Sequence, residues 1–166
     1  MARKSRVITE TQKQENAKSF VWKIGIYIRL SKEDLRNNDE SESVTNQRKI
    51  NLEFVEEKFC NEKYIIYDIY VDDGRSGTTE DTRPDFQRLS KDIREGNVNC
   101  VICKTLARAF RNYADQGKFL EQYLPTYGCR FIAFGNPYVD TFANPDCMQN
   151  MEIPINGLMN DRYAAR

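Results

Sequence analysis

Lys23-Ile24-Gly25-Ile26-Tyr27-Ile28-Arg29-Leu30 is the stretch whose reading decides the fold. Its alternating, β-branched residues predict a strand, and period-two geometry carries Arg29 and Ser31 to the same side at its carboxyl end. Ser31 to Glu42 is a polar run of Ser, Asn, Asp and Glu and reads as a long loop. Val44, Ile50, Leu52, Phe54, Val55 and Phe59 then recur at helical spacing, with Ser43 as a plausible N-cap. Tyr64 to Val71 (YIIYDIYV) predicts a second strand, which enters the Gly/Ser-rich loop Asp72-Asp73-Gly74-Arg75-Ser76-Gly77-Thr78-Thr79. Pro84 suits the first position of a helix that Phe86, Leu89 and Ile93 mark and Gly96 closes. Val98 to Lys104 predicts a third strand and Tyr113 to Tyr127 a helix with Phe119, Leu120, Tyr123 and Leu124 inward. Arg130 to Phe134 follows as a fourth strand, and a short piece around Tyr138 and Val139 as a fifth. Strands alternating with helices predict an α/β domain with a mostly parallel sheet of four to five strands flanked by helices. Its expected extent is 23–145, after a flexible or helical tail over 1–22. A helical pattern of Met148, Met151, Ile155, Leu158 and Met159, with Pro154 inside it, begins within 146–166.

At 166 residues the chain has room for one domain with a proper core. Lys plus Arg and Asp plus Glu each number 25, so the net charge is zero, which argues against strong DNA affinity from this segment alone. Charge is uneven, however, since the first 23 residues and the stretch Lys104 to Arg111 lean basic. Histidine is absent, which removes Ser-His-Asp and Cys-His catalysis and His-ligated metals. Cys100 and Cys103 form a C-x-x-C, but they lie in the third strand with no second ligand pair, as buried thiols in a reducing cytosol would. No apolar stretch is long enough to span a bilayer, and the basic N-terminus lacks the apolar region of a secretory signal. These features place the domain in the cytoplasm, away from membranes.

Sites in such sheets form at the carboxyl ends of strands. Those ends carry Arg29 and Ser31, then Asp72 and Asp73, then the basic run Lys104 to Arg111. Arg83 stands before Pro84, and Arg108 and Arg111, three apart, share a face on a helical turn. Several guanidinium groups around one hydroxyl suit a phosphodiester, because their planar forks bind non-bridging oxygens bidentately. Two other readings stay open. Asp72 and Asp73, with Asp68 or Asp140, would hold Mg2+ for phosphate hydrolysis. A flavodoxin-like binding or regulatory domain is the other, although no glycine-rich phosphate loop follows a strand.

Five ordered blocks carry a resemblance. They are Tyr27-Ile28-Arg29-Leu30-Ser31; Ser43 with Asn46-Gln47; Tyr70-Val71-Asp72-Asp73-Gly74-Arg75-Ser76-Gly77-Thr78 with Arg83-Pro84-Asp85-Phe86-Gln87-Arg88-Leu89; Cys103-Lys104-Thr105-Leu106-Ala107-Arg108-Ala109-Phe110-Arg111-Asn112-Tyr113; and Val139-Asp140-Thr141. In this order they resemble the catalytic domain of the serine recombinases (resolvases and invertases), most closely the large ones of conjugative transposons and phages. The resemblance implies a resolvase-like three-layer fold. It makes Ser31 the nucleophile that cleaves DNA through a 5′-phosphoserine link and then religates exchanged strands. It makes Arg29, Arg83, Arg108 and Arg111 the phosphate-binding arginines and Gln47 an active-site glutamine, with Tyr27 and Lys104 supporting phosphate binding. It implies no cofactor and no metal, DNA as partner, and a homo-oligomer in which dimers assemble to a tetramer. Residues 146–166 become the start of an interdomain and dimerisation helix, with DNA-binding domains beyond it, which accounts for the neutral charge. The chain departs from the pattern at Ala107, where many resolvases carry an aspartate, and at Phe110, where glycine is common. The first departure leaves the general acid for the 3′ leaving oxygen unassigned and keeps open a catalytically decayed recombinase that only binds partners.

Overall fold

In the computed structural model, which describes residues 20–30, 40–72, 83–110 and 113–146, the elements alternate as the apolar patterning requires. They are β1 (Trp22–Arg29), α1 (Glu40–Lys58), β2 (Tyr64–Asp72), α2 (Pro84–Arg94), β3 (Cys100–Cys103), α3 (Leu106–Ala109), α4 (Tyr113–Gly117), a π-helical stretch (Lys118–Tyr123), α5 (Leu124–Thr126), β4 (Arg130–Ala133) and β5 (Val139–Asp140). The strand order is β2-β1-β3-β4-β5. All neighbours are parallel except β4 and β5.

Alternation along β1 builds the layers. Trp22, Ile24, Ile26 and Ile28 point to one face and pack with Val55 and Phe59 of α1, together with Ile102 and Ile132. Tyr27 belongs to the opposite core, with Leu89 and Ile93 of α2 and with Phe119, Leu120 and Leu124. The result is one sheet between two helical layers, buried on both faces as parallel sheets are. From β1 the chain moves outward to β2, then crosses back over β1 to β3. The carboxyl ends of β1 and β3 therefore flank the crevice where the winding reverses direction, the usual ligand position in such sheets.

Element boundaries differ from the sequence expectation at α1, at β3 and in the last helical stretch. α1 begins at Glu40, inside the expected loop. β3 starts only at Cys100; Asn99 just before it joins β1 through both backbone and side chain, its N–H donating to the Lys23 carbonyl at 3.0 Å, its Oδ1 accepting the Lys23 N–H at 2.7 Å and its Nδ2 donating to the Val21 carbonyl at 3.1 Å. The single helix expected over 113–127 is interrupted by the π-helical stretch. Pro125 has no N–H to give the carbonyl four residues back, so the α-helical ladder cannot continue through it. Gly135 is required by close approach: its N–H donates to the Lys104 carbonyl at 2.7 Å, and a Cβ there would lie 2.7 Å from the same oxygen.

At the amino end of the sheet, Arg130 and Asp140 form a buried bidentate pair, Nε to Oδ1 at 2.9 Å and Nη2 to Oδ2 at 2.8 Å. The guanidinium lies against the rings of Trp22, Phe59 and Phe142 at 4.9, 5.3 and 5.1 Å. Burial acts to raise the Asp140 pKa, but the Arg130 hydrogen bond and the N–H groups of Ala143 and Phe142 outweigh it and hold it at about 2. A carboxylate depressed in this way stabilises the fold fully above its ordinary pKa, and that contribution is lost as pH falls through the folded value. Asp140→Asn strands a buried cation and is expected to cost about 3–5 kcal/mol in urea unfolding at pH 7. The deficit relative to the parent chain should shrink as the pH is lowered through about 2.

Candidate active site

The carboxyl end of β1 is organised around one buried carboxylate. Asp72, the last residue of β2, is 3% exposed. Its Oδ2 accepts the Tyr27 hydroxyl at 2.8 Å and the Phe86 N–H at 3.1 Å, while Oδ1 accepts the Asp85 N–H at 3.0 Å. Asp72 thus does for α2 what an N-cap does, from 13 residues upstream of Asp85. The residue at the local cap position, Arg83, makes no side-chain cap bond. Its guanidinium instead turns inward, with Nε and Nη2 donating to the Tyr27 hydroxyl at 3.2 and 2.9 Å and Nη2 donating also to the Ala109 carbonyl. It lies over the Phe86 ring at 4.0 Å. Tyr27 is therefore a relay: it donates its proton to Asp72 and accepts from Arg83. Burial, with a contribution from Asp72, pushes the tyrosine pKa well above its ordinary value against the opposing pull of Arg83, so the hydroxyl keeps its proton.

Arg29, two residues beyond Tyr27 on the same face of β1, is fixed by the same short helix whose Ala109 carbonyl Arg83 reaches. Its Nε donates to the Arg108 carbonyl at 3.0 Å and its Nη2 to the Ala107 carbonyl at 2.7 Å. Both acceptors belong to α3, which follows β3 directly. Arg29, Arg83 and the backbone of α3 are thereby drawn to one edge of the sheet, with Arg108 on α3 itself. The Leu30 N–H donates to the Asp72 carbonyl at 3.0 Å, so β1 keeps its ladder to the residue before Ser31. Ser31 and Arg111 lie outside the described residues.

Of the other expected site residues, Gln47 is buried on α1. Lys58, at the carboxyl end of that helix, reaches Asp140 at the amino end of the sheet, so Gln47, about 16 Å back along the axis at 1.5 Å per residue, lies toward the carboxyl end. Lys104 is exposed, and its carbonyl serves Gly135. Tyr27 is only 1% exposed; its place is behind Arg83, where it positions that arginine and has no surface to offer a phosphate. Phe110 packs in the core against Phe86, Phe119 and Phe131. Ala107 gives Arg29 a carbonyl in place of a side chain.

The carboxylates of the magnesium reading are dispersed. Asp68 pairs with Arg88 on the surface, Asp140 pairs with Arg130 at the opposite end of the sheet, and both oxygens of Asp72 are taken by N–H and O–H donors. Asp73 lies outside the described residues. Cys100 and Cys103, three apart on a strand, fall in opposite cores, so their sulfurs cannot share a metal. Burial pushes both thiols above the ordinary range and Cys129 up to about 12. What sequence reasoning missed is the double role of Asp72, since a cap supplied 13 residues away leaves no local signature.

The resolvase N-terminal domain model matches residues 24–156. A resolvase-family site-specific recombinase from Streptococcus pneumoniae is 25% identical, with a TM-score of 0.63 over 86% of this chain and 90% of that one. The N-terminal catalytic domain of TP901-1 integrase superposes with a TM-score of 0.58 at 24% identity over 85% and 95%. The C-terminal catalytic domain of ISC1926 TnpA, an IS607-like serine recombinase, does so with 0.52 at 21% over 69% and 72%. No curated protein matches the chain. A match over most of the chain, on the fold those structures share, places this protein in the resolvase family of site-specific DNA recombinases.

Proposed function

We propose that this domain cleaves and rejoins DNA through a phosphoserine at Ser31, with no metal and no cofactor. The observation that supports this most is the anchoring of Arg29 and Arg83 together at the carboxyl end of β1, both bonded to the backbone of α3. Each guanidinium is held by protein acceptors through two of its nitrogens, Arg29 by the Ala107 and Arg108 carbonyls and Arg83 by Tyr27 and Ala109. Groups set in advance where charge develops need no reorganisation as the reaction proceeds.

In the proposed step the Ser31 oxygen forms a bond to the scissile phosphorus and loses its proton. The phosphorus–O3′ bond breaks, the 3′ oxygen takes up a proton, and the 5′ phosphate remains esterified to Ser31. Attack of a 3′ hydroxyl on the same phosphorus reverses the sequence and rejoins DNA. The number of phosphoester bonds is conserved, so no nucleotide energy source enters. Arg29, Arg83, Arg108 and Arg111 neutralise the non-bridging oxygens, while Gln47 and Lys104 support the phosphate and its neighbours.

Membership of the resolvase family implies a DNA substrate and an oligomeric assembly. The finer reading is that dimers assemble to a tetramer on DNA in the cytoplasm, serving integration or excision of a mobile element such as a conjugative transposon or phage. In the same reading 23–145 is the catalytic unit, 1–22 a tail, and 146–166 the start of the helix leading to further domains. Among the described residues no helix is long and apolar enough to cross a membrane.

Incubation of the parent protein with a nicked duplex carrying its element's end, in EDTA, should give a covalent protein–DNA adduct on a denaturing gel. Ser31→Ala should abolish it while leaving binding intact. An adduct retained by Ser31→Ala, or cleavage only on adding Mg2+, would contradict the mechanism. Binding without any adduct from the unmodified protein would instead favour the decayed recombinase. Tyr27→Phe removes the acceptor that sets Arg83 but leaves Asp72 bonded to the α2 amides. It should slow adduct formation by about 10–100-fold, as a displaced phosphate ligand does, and destabilise the fold by about 1–3 kcal/mol for the lost buried hydrogen bond. Single-turnover cleavage beside thermal unfolding separates the two effects.

A further inference from the structure

β2 is an edge strand of the sheet among the described residues, and its two halves treat that edge in opposite ways. Between Ile66 and Asp68 the register with β1 shifts: Ile24 pairs with Ile66 and Gly25 with Asp68, so Tyr67 is an inserted residue. The insertion reverses which residues turn their backbone outward. In the carboxyl half, the Leu30 N–H bonds to the Asp72 carbonyl, so even-numbered residues face β1 and Ile69 and Val71 face out. Both outward N–H groups are covered by carboxylates, Ile69 by Asp68 Oδ1 at 2.7 Å and Val71 by Asp85 Oδ2 at 2.8 Å. Arg88 in turn holds both of those carboxylates. This half is closed to further strands.

In the amino half the Trp22 N–H bonds to the Lys63 carbonyl at 2.9 Å. Odd-numbered residues here face β1, which leaves the N–H and C=O groups of Tyr64 and Ile66 pointing outward. No covering side chain guards them among the described residues. The side chains alongside are apolar and unusually open: Ile65 is 49% exposed, Ile66 39% and Tyr67 44%. Exposed strand edges normally carry a charge or a proline, and the run from Tyr64 to Tyr67 has neither.

We propose that Tyr64–Ile66 is a self-association edge, on which a second copy of this chain pairs antiparallel about a two-fold axis through Ile65. The register follows from the outward groups. Tyr64 and Ile66 of one copy exchange backbone hydrogen bonds with Ile66 and Tyr64 of the other, and Ile65 meets its own counterpart between them. The pairing is isologous, each surface being its own complement. On one face Tyr64 meets Ile66 of the second copy, an aromatic–β-branched pair, and on the other Ile65 meets Ile65. No like charges oppose within these three residues. The capped half of β2 stops the ladder from extending, which confines the contact to a short segment and makes it a weak interface. It lies at the amino half of the strand, away from Arg29 and Arg83, so it joins two catalytic units side by side without covering the phosphate site.

Cysteine cross-linking of the whole chain reads this register directly, in a background with Cys60→Ser and Cys147→Ser. Ile65→Cys places two thiols opposite one another at the axis, within disulfide reach. Lys63→Cys places them about 13 Å apart along the strands. Under mild oxidation Ile65→Cys should form a disulfide dimer at least tenfold faster than Lys63→Cys. In sedimentation, Ile65→Lys should weaken self-association at least tenfold, with an unchanged circular dichroism spectrum. Equal cross-linking at both positions, none at Ile65→Cys, or association unaltered by Ile65→Lys would overturn the proposal. So would cross-linking at Ile65→Cys that appears only when residues 1–19 are removed, which would make the tail the occupant of this edge.

Discussion

The carboxylate of Asp72 holds three things in place at once. It caps α2 through the N–H groups of Asp85 and Phe86, and it takes the Tyr27 hydroxyl. Through that hydroxyl it fixes where the Arg83 guanidinium can lie. A buried carboxylate with no partner is costly, and here hydrogen-bond donors around it offset that cost. The same donors tie the end of β2, the middle of β1 and the start of α2 into one unit. Arg83 opens α2 but points away from the helix axis, because its acceptors are Tyr27 and the end of α3. Structure and candidate chemistry thus share one set of hydrogen bonds.

Neutral oxygens take part in holding two arginines of the site, Arg29 and Arg83. An arginine in a protein interior commonly pairs with a carboxylate, as Arg130 does with Asp140 at the far end of the sheet. A pair of that kind is neutral and has little attraction left for a phosphate. Arg29 and Arg83 donate to carbonyl and hydroxyl oxygens, neutral acceptors that help direct each guanidinium. The alanine at 107, which breaks the family's pattern, is consistent with this scheme, since its carbonyl steers Arg29. The two ends of the sheet therefore differ: a buried ion pair locks β4 to β5 at one end, and arginines held in part by backbone and hydroxyl oxygens gather at the other.

Much of this was legible before any coordinates. Alternation in KIGIYIRL predicted the strand that became β1, and the helical spacing of Phe86, Leu89 and Ile93 predicted α2. Arg29, Arg83 and Arg108 were expected at one sheet edge and are found there. What could not be read is whatever depends on atoms distant in sequence. Asp72 looked like half of a metal-binding pair because its partners, Tyr27 and the amides of Asp85 and Phe86, have no local mark. The helix over 113–127 looked continuous because its apolar spacing persists through Pro125, whereas the missing N–H acts on the ladder. The inserted Tyr67 was invisible because both halves of β2 are equally rich in β-branched and aromatic residues.

If the chain works as a serine recombinase, the hydroxyl of Ser31 carries the DNA phosphate. Peptide mapping by mass spectrometry of the covalent adduct, trapped in EDTA and digested with nuclease and protease, tests it most directly. The residual 5′-nucleotide phosphate is expected on the peptide containing Ser31 and on that hydroxyl. A phosphate found on any other residue, or free 5′-phosphate ends with no modified peptide, would contradict it.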